Sequence, residues 1–191
     1  MPVACLSQHA AELLTPGTVA DFLGVEAALA ALDRLLSGNG HVDDLFTLDE
    51  RWTLKEDLIE ELTRFDLPAD CLKLPMSSLS GGQRTRLHLL KLSRIRNVFL
   101  ILDEPSNHLD QAGRRWLSKW LSTRPGGALV ITHDQTLLQS FGRLLELRDG
   151  ALQWHGQGFA AYLQTREQLL EKARHDQQHA RQTIKRELQQ Q

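Results

Sequence analysis

A chain of 191 residues suits one medium domain, or one domain with an appendage. Hydrophobic residues make up 41%, enough for an ordinary core, which excludes wholesale disorder. Its 22 basic and 24 acidic residues leave a net charge of -2, which excludes a whole-molecule polycation gripping nucleic acid and leaves room for a local basic face only. Cys5 and Cys71 stand in no metal-ligand spacing and read as two reduced thiols. No apolar run approaches membrane-spanning length, and the first residues lack a basic-then-apolar leader, so a soluble, cytoplasmic protein is expected.

In chain order, Val3–Leu6 reads as a short buried strand, followed by Ser7-Gln8. Thr15-Pro16-Gly17 punctuates the chain. Thr18 can cap a helix in which Val19, Phe22, Leu23, Ala30, Leu32, Leu35 and Leu36 recur at helical spacing. Ser37–Gly40 breaks it, and a second helix fits 50–65, where Leu54, Leu58, Leu62 and Phe65 share a face. Residues 18 to about 80 are therefore expected to form a helical subdomain set between strands.

Alternation of strands and helices follows. Residues 84–93 read as helix, and 98–102 as a strand apolar at every position, as expected when both faces are buried. Helix is predicted over 113–121 and 135–141, with strand 128–131 between them. Leu144–Leu147 and Ala151–Trp154 flank Asp149-Gly150, a hairpin turn signal. The order argues for an α/β sheet with helices packed on it. From 159 to 191 the chain is Gln-rich and reads as one long helix, with a rough heptad stripe at Leu170, Ala173, Ala180, Ile184 and Leu188.

Candidate chemistry starts at Asp103-Glu104, two acids directly after an apolar strand, at the sheet edge where ligands of open α/β folds bind. One carboxylate there can hold a hydrated Mg²⁺ while the next polarises a water for attack on a phosphoryl group. The same two acids could instead cap a following helix. Two other strands end likewise, one running into Gln8 and one into His133. On a parallel sheet Gln8, Asp103, Glu104 and His133 gather along one edge, a set suited to metal contact, metal site, general base and γ-phosphate sensing. Leu79-Ser80-Gly81-Gly82-Gln83 stands immediately before a helix. Its serine can cap that helix, and its glycines let backbone N–H groups approach an anion. Alone, Ser-Gly-Gly is also a plain flexible loop.

These motifs carry a resemblance. Leu79–Gln83 is identical to the signature motif of ATP-binding cassette (ABC) ATPases. Val98–Glu104 resembles their Walker B strand with its catalytic Glu, Leu109-Asp110 their D-loop, and Ile131–Asp134 their switch-histidine segment; Gln8 falls where the Q-loop glutamine belongs. Glu104–Asp110 further resembles the Glu-Pro-Thr-Asn-His-Leu-Asp stretch of the ABC-F family, and Gly158–Leu163 the element leading into that family's helical linker. Ser106, Thr132 and Gln135 depart from the family's usual Thr, Ser and Arg. The resemblance implies an α/β, P-loop NTPase-like ABC nucleotide-binding domain over 1–158 and the start of an inter-domain linker over 159–191. It implies ATP and Mg²⁺ as cofactors, with Asp103 and Gln8 at the metal, Glu104 and His133 catalytic, and Gln8, Ser80, Gly81, Gly82, Gln83 and Asp110 at nucleotide. It implies as partners a second ABC ATPase domain and the ribosome or its RNA, without membrane insertion. It also implies that the P-loop strand sits between the strands at 98–102 and 128–132.

No Gly-x-x-x-x-Gly-Lys-Ser/Thr string, the loop of amides and lysine that holds phosphates, occurs in the 191 residues. In the family it precedes the Q-loop, so the chain is expected to be an incomplete domain, truncated before its P-loop and inactive alone. Two alternatives are an ABC transporter's nucleotide-binding domain, disfavoured by Asn107-His108 and the tail, and a non-enzymatic module that binds a partner or RNA through its helical tail. The tail's basic surplus is slight, which favours a solvated helix face.

Overall fold

The computed structural model describes residues 2–10, 12 and 16–188, with side chains described as far as residue 179. Ala180, Ile184 and Leu188 of the heptad stripe, the basic residues beyond 179, and Thr15 lie outside the described residues or side chains. Two compact units divide the chain, Met1–Thr132 and His133–Gln191.

In the first unit, β1 (Val3–Leu6), β2 (Phe99–Asp103) and β3 (Ala128–Ile131) form a parallel sheet in the order β1-β2-β3. The implied insertion of a P-loop strand between the second and third strands is not seen. Leu100 to Asp103 of β2 pair directly with Ala128 to Ile131 of β3, so the two are neighbours without a gap. Nor is β1 the buried strand its composition suggests. Val3 is 61% exposed, Cys5 is exposed and Leu6 is buried, because β1 has a strand on one side alone among the described residues.

The central strand is covered unequally. Leu100 and Leu102 are fully buried, whereas Phe99 and Ile101 on the other face are half-buried, and Leu129 and Ile131, the β3 partners of Ile101 and Asp103, are exposed. An unbroken apolar run reports strand formation, and it cannot report which face finds a partner.

The helical insert forms, with corrections to its parts. Thr18 caps α1 (Val19–Leu23) through a reciprocal box with Asp21. The chain then breaks at Gly24, which takes a left-handed φ of 68°, and α2 (Glu26–Leu36) starts afresh. One expected helix is thus two. α3 (Val42–Leu48) was not expected, and α4 (Leu54–Arg64) begins later than 50 because Glu50 sits at φ 57° outside any helix. Leu54, Leu58 and Leu62 are buried along α4 as their spacing predicts. Arg34 of α2 grips the buried Asp44 of α3, and holds its carboxyl down at about 2. Backbone bonds from Val19 N–H to Leu74 O and from Met76 N–H to Gly17 O pin the two ends of the insert side by side.

α5 (Gly81–Ser93) and α6 (Gln111–Thr123) complete the unit. Arg86 of α5 pairs with Asp66, Arg94 just past α5 pairs with Glu61 of α4, and Trp116 of α6 donates its indole N–H to Arg64 O at 3.0 Å.

The second unit holds α7 (Gln135–Gln139), the antiparallel hairpin β4 (Leu144–Arg148) and β5 (Ala151–His155), and α8 (Gly158–Leu188). Asp149 and Gly150 turn the hairpin at φ 52° and 78°, the pair of left-handed residues the turn signal called for. Tyr162 of α8 donates to Glu146 Oε1 at 2.8 Å and holds that carboxyl below the ordinary range. Further along α8, Leu169 and Leu170 are exposed.

Candidate functional site

Parallel pairing of β1 with β2 puts their carboxyl ends together. Gln8, just past β1, and Asp103 and Glu104, at the end of β2, line one small cleft of about 10 Å³, together with Thr85 of α5 and His108. Three of the four residues expected along this edge therefore meet. His133 opens the second unit, one position beyond Thr132 in the chain.

Neither Asp103 nor Glu104 is a helix cap. No helix begins until α6, and Asp110 caps it, its carboxylate accepting from Gly113 N–H at 2.7 Å. Asp134 does the same for α7, accepting from Thr136 N–H at 2.8 Å. The capping alternative thus holds for two acids of the chain and fails for the pair after β2.

Glu104 is held in an unusual way. Its φ of 47° is left-handed, a conformation uncommon for a residue with a β-carbon. Its N–H donates to Ile131 O at 2.8 Å, and Thr132 Oγ1 donates to its Oε2 at 3.4 Å. The end of β3 thereby fixes both backbone and carboxylate of Glu104. Thr132 stood out in the sequence merely as a departure from the family's Ser; its contact with Glu104 depends on sheet pairing and has no local signal.

The Ser80–Gln83 segment is the first turn of α5, and not a loop before it. Ser80 Oγ accepts from Gln83 N–H at 3.2 Å while Ser80 N–H donates to Gln83 Oε1 at 2.9 Å. A β-carbon on Gly81 would lie 3.2 Å from the His108 side chain, and one on Gly82 would lie 2.9 Å from the His108 carbonyl oxygen. Both glycines are thus needed for the turn at 105–109 to lie against α5, a close backbone approach that the local sequence does not announce. His108 Nε2 in turn stands 3.7 Å from Glu12 Oε1.

The chemistry available in the cleft is oxygen-rich. An amide at Gln8 and a carboxylate at Asp103 are hard donors of the kind Mg²⁺ accepts alongside water and phosphate oxygens.

The family pattern described as ABC transporter matches residues 2–107. The chain belongs to the ABC transporter family. Among relatives of this ABC cassette is the energy-dependent translational throttle protein EttA. The EttA of Mycobacterium tuberculosis is 33% identical over 140 residues, 72% of this chain and 25% of the relative; that of Escherichia coli K12 is 31% identical over 166 residues, 83% and 28%. The ATP-binding protein ChvD of Rhizobium radiobacter is 37% identical over 154 residues, 74% and 51%. The chain thus spans about a quarter to a half of the length of these relatives, which bear out the ABC-F resemblance. Two solved structures, a dimeric ATP-binding cassette in a post-hydrolysis state with ADP and Pi and a dimeric bacterial ABC transporter cassette, match with TM-scores of 0.55 and 0.56. Each is 18% identical, over 82% of this chain and 63% of the neighbour, which establishes the ABC cassette fold.

Proposed function

We propose that this chain supplies the catalytic edge and signature helix of an ABC-F-type ATPase that works in the cytoplasm on translation. The observation that carries it is the meeting of Gln8, Asp103 and Glu104 at the carboxyl ends of adjacent parallel strands, with the Ser80–Gln83 turn packed on the neighbouring 105–109 segment. In this reading residues 1–158 are cassette, with a helical subdomain over about 18–80, and 159–191 begin a linker to a second ATPase domain. The translational name of EttA supports ribosomal or RNA partners for this chain. No described helix is long and apolar enough to cross a membrane.

Asp103 and Gln8 would hold Mg²⁺, which when bound screens and orients the phosphate oxygens. Glu104 accepts the proton of the attacking water as it approaches the γ-phosphorus, and its fixed backbone keeps the carboxylate pointed without searching rotamers of the chain. His133 contacts the γ-phosphate. Ser80, the Gly81 and Gly82 amides and Gln83 serve a nucleotide held across a domain pair, where the N-terminus of α5 favours negative charge, and Asp110 contributes from the same side. The phosphate chain itself needs a P-loop, which is not among these 191 residues, so hydrolysis is a property of an assembly that includes one. The open side of β3, with Leu129 and Ile131 exposed, suits the addition of further strands.

The test is steady-state hydrolysis by an assembly that pairs this chain with a P-loop-bearing segment, its other ATP site disabled. Glu104→Gln keeps shape but cannot take the proton, and the rate is expected to fall about 10²–10⁴-fold with ATP binding retained. An unchanged rate would remove Glu104 as the base.

A further inference from the structure

A cavity of the first unit lies away from the Asp103–Glu104 edge. It has a volume of about 710 Å³ and lies at the opposite end of the sheet, where Asn97 and Val98 lead into β2 and Arg124 and Pro125 precede β3. Its apolar lining, beside Ile95, Val98 and Pro125, has three aromatic rings: buried Phe65 and half-buried Trp116 and Trp120, with each indole edge-on to the phenyl ring. Trp116 and Trp120 are near parallel, 10° apart with centroids 6.2 Å apart. The polar lining holds neutral Ser93, Asn97 and Thr123, and every charged residue in it is a cation. Arg64, Arg96, Lys119 and Arg124 line the cavity, and no carboxylate does.

Those four cations differ in what they already do. Arg124 is spent on the fold, donating to Gly127 O at 2.9 Å and standing over Trp120. Arg64 has Glu60 at 3.4 Å. Arg96 and Lys119 are exposed and make no ion pair among the described residues, so their charge faces solvent across the cavity mouth. A protein of net charge -2 that keeps two uncompensated cations beside three aromatic rings, with no acid among them, presents a local basic face of a defined kind. Flat rings at the floor take a planar apolar face; cations at the mouth take an anion held a few ångströms from it. Nucleotides of a single strand offer that pair, and the volume lies within the range of ligand sites.

We propose that this cavity binds single-stranded nucleic acid, a base packing on the Phe65–Trp120 surface and flanking phosphates meeting Arg96 and Lys119. The site is separate from the Glu104 edge and needs no ATP.

Fluorescence anisotropy of labelled ten-residue oligouridylate and oligoadenylate, titrated with the full chain between 50 and 200 mM KCl, tests it. Arg96→Gln/Lys119→Gln is expected to weaken binding at least tenfold and to lower the slope of log affinity against log salt by about 1.4, two phosphate contacts at roughly 0.7 each. Trp120→Leu is expected to weaken it between about fivefold and a hundredfold, and Trp120→Phe, which keeps a ring, to restore most of the loss. Thermal melts of each variant identify any that unfolds; the paired glutamines sit on exposed positions and leave the core intact. Three results would overturn the proposal: no binding at 50 mM salt, an unchanged affinity in the glutamine variant, or equal affinity for labelled polyphosphate, which carries the charge without a base.

Discussion

The carbonyl oxygen of His108 lies 2.9 Å from the point where a β-carbon on Gly82 would sit. The two belong to different motifs, one in the first turn of α5 and one in the turn after β2, and each is where it is because the other leaves room. Gly82→Ala gains helix propensity worth up to about 1 kcal/mol. It must also push a backbone carbonyl, and overpacking of this kind costs about 1–3 kcal/mol. The overlap is with backbone rather than a flexible side-chain tip, so net destabilisation is expected. A denaturant melt of the variant with an unchanged or higher midpoint would show that the 105–109 turn yields freely.

Ser80→Ala is a cleaner probe of the same turn. It removes the hydroxyl that accepts from Gln83 N–H and leaves the close approach intact. A loss of about 1 kcal/mol is expected from the missing cap. Stability equal to the parent would mean that water serves α5 as well as the serine does.

The Arg34–Asp44 pair sets an acid limit on the insert. The Asp44 carboxyl lies near 2 in the folded chain against 3.8 ordinarily, chiefly through its bonds from Arg34 and then from His41 N–H. A depressed folded value stabilises fully above the ordinary one and is lost as pH falls through the folded one. Helical circular dichroism of the chain is therefore expected to weaken between about pH 4 and 2, and Asp44→Asn to remove that part of the acid sensitivity. A variant with an unchanged acid transition would place the sensitivity elsewhere.

Isothermal calorimetry of the chain with Mg-ATP is expected to show no micromolar one-to-one site. The side chains in the Asp103–Glu104 cleft can act on a phosphate, and the 191 residues contain no Gly-x-x-x-x-Gly-Lys-Ser/Thr string to hold one. Tight stoichiometric binding would overturn that division of labour.

Leu129 and Ile131 leave an exposed apolar row on β3, a surface on which a second copy can pack. β2 has a neighbour on both sides and should keep its amide protection, whereas β3 has a neighbour on one side among the described residues and is expected to exchange sooner. Sizing chromatography is expected to show concentration-dependent assembly, reduced in Leu129→Lys. A concentration-independent monomer would show that the exposed row is harmless.

How much of this could be read from residues depended on range. Thr18, Asp149-Gly150 and the Leu54–Leu58–Leu62 stripe act within a few positions, and all do what their local chemistry dictates. The break at Gly24 was hidden because apolar spacing continues across it. α3 was hidden because Val42–Leu48 is short and its buried Asp44 is answered by Arg34 from another helix. The exposure of β1 and the direct pairing of β2 with β3 follow from sheet order, which no stretch of sequence encodes by itself. Within the candidate site the motifs named Gln8, Asp103 and Glu104. The left-handed backbone of Glu104 and the hydroxyl of Thr132 emerged from pairing across 28 positions.

The backbone bonds joining Gly17 to Met76 and Val19 to Leu74 bear on the order in which the chain assembles. β1 and β2 are separated by roughly a hundred residues, a distant closure for a parallel pair. Once the helical insert has formed from its own sequential contacts, its two ends meet and the remaining loop shrinks to roughly forty residues. Loop-closure entropy then falls by about 0.8 kcal/mol, a several-fold gain in the chance of meeting. Helices that look like an interruption of the sheet thus serve as the device that brings its first two strands within reach.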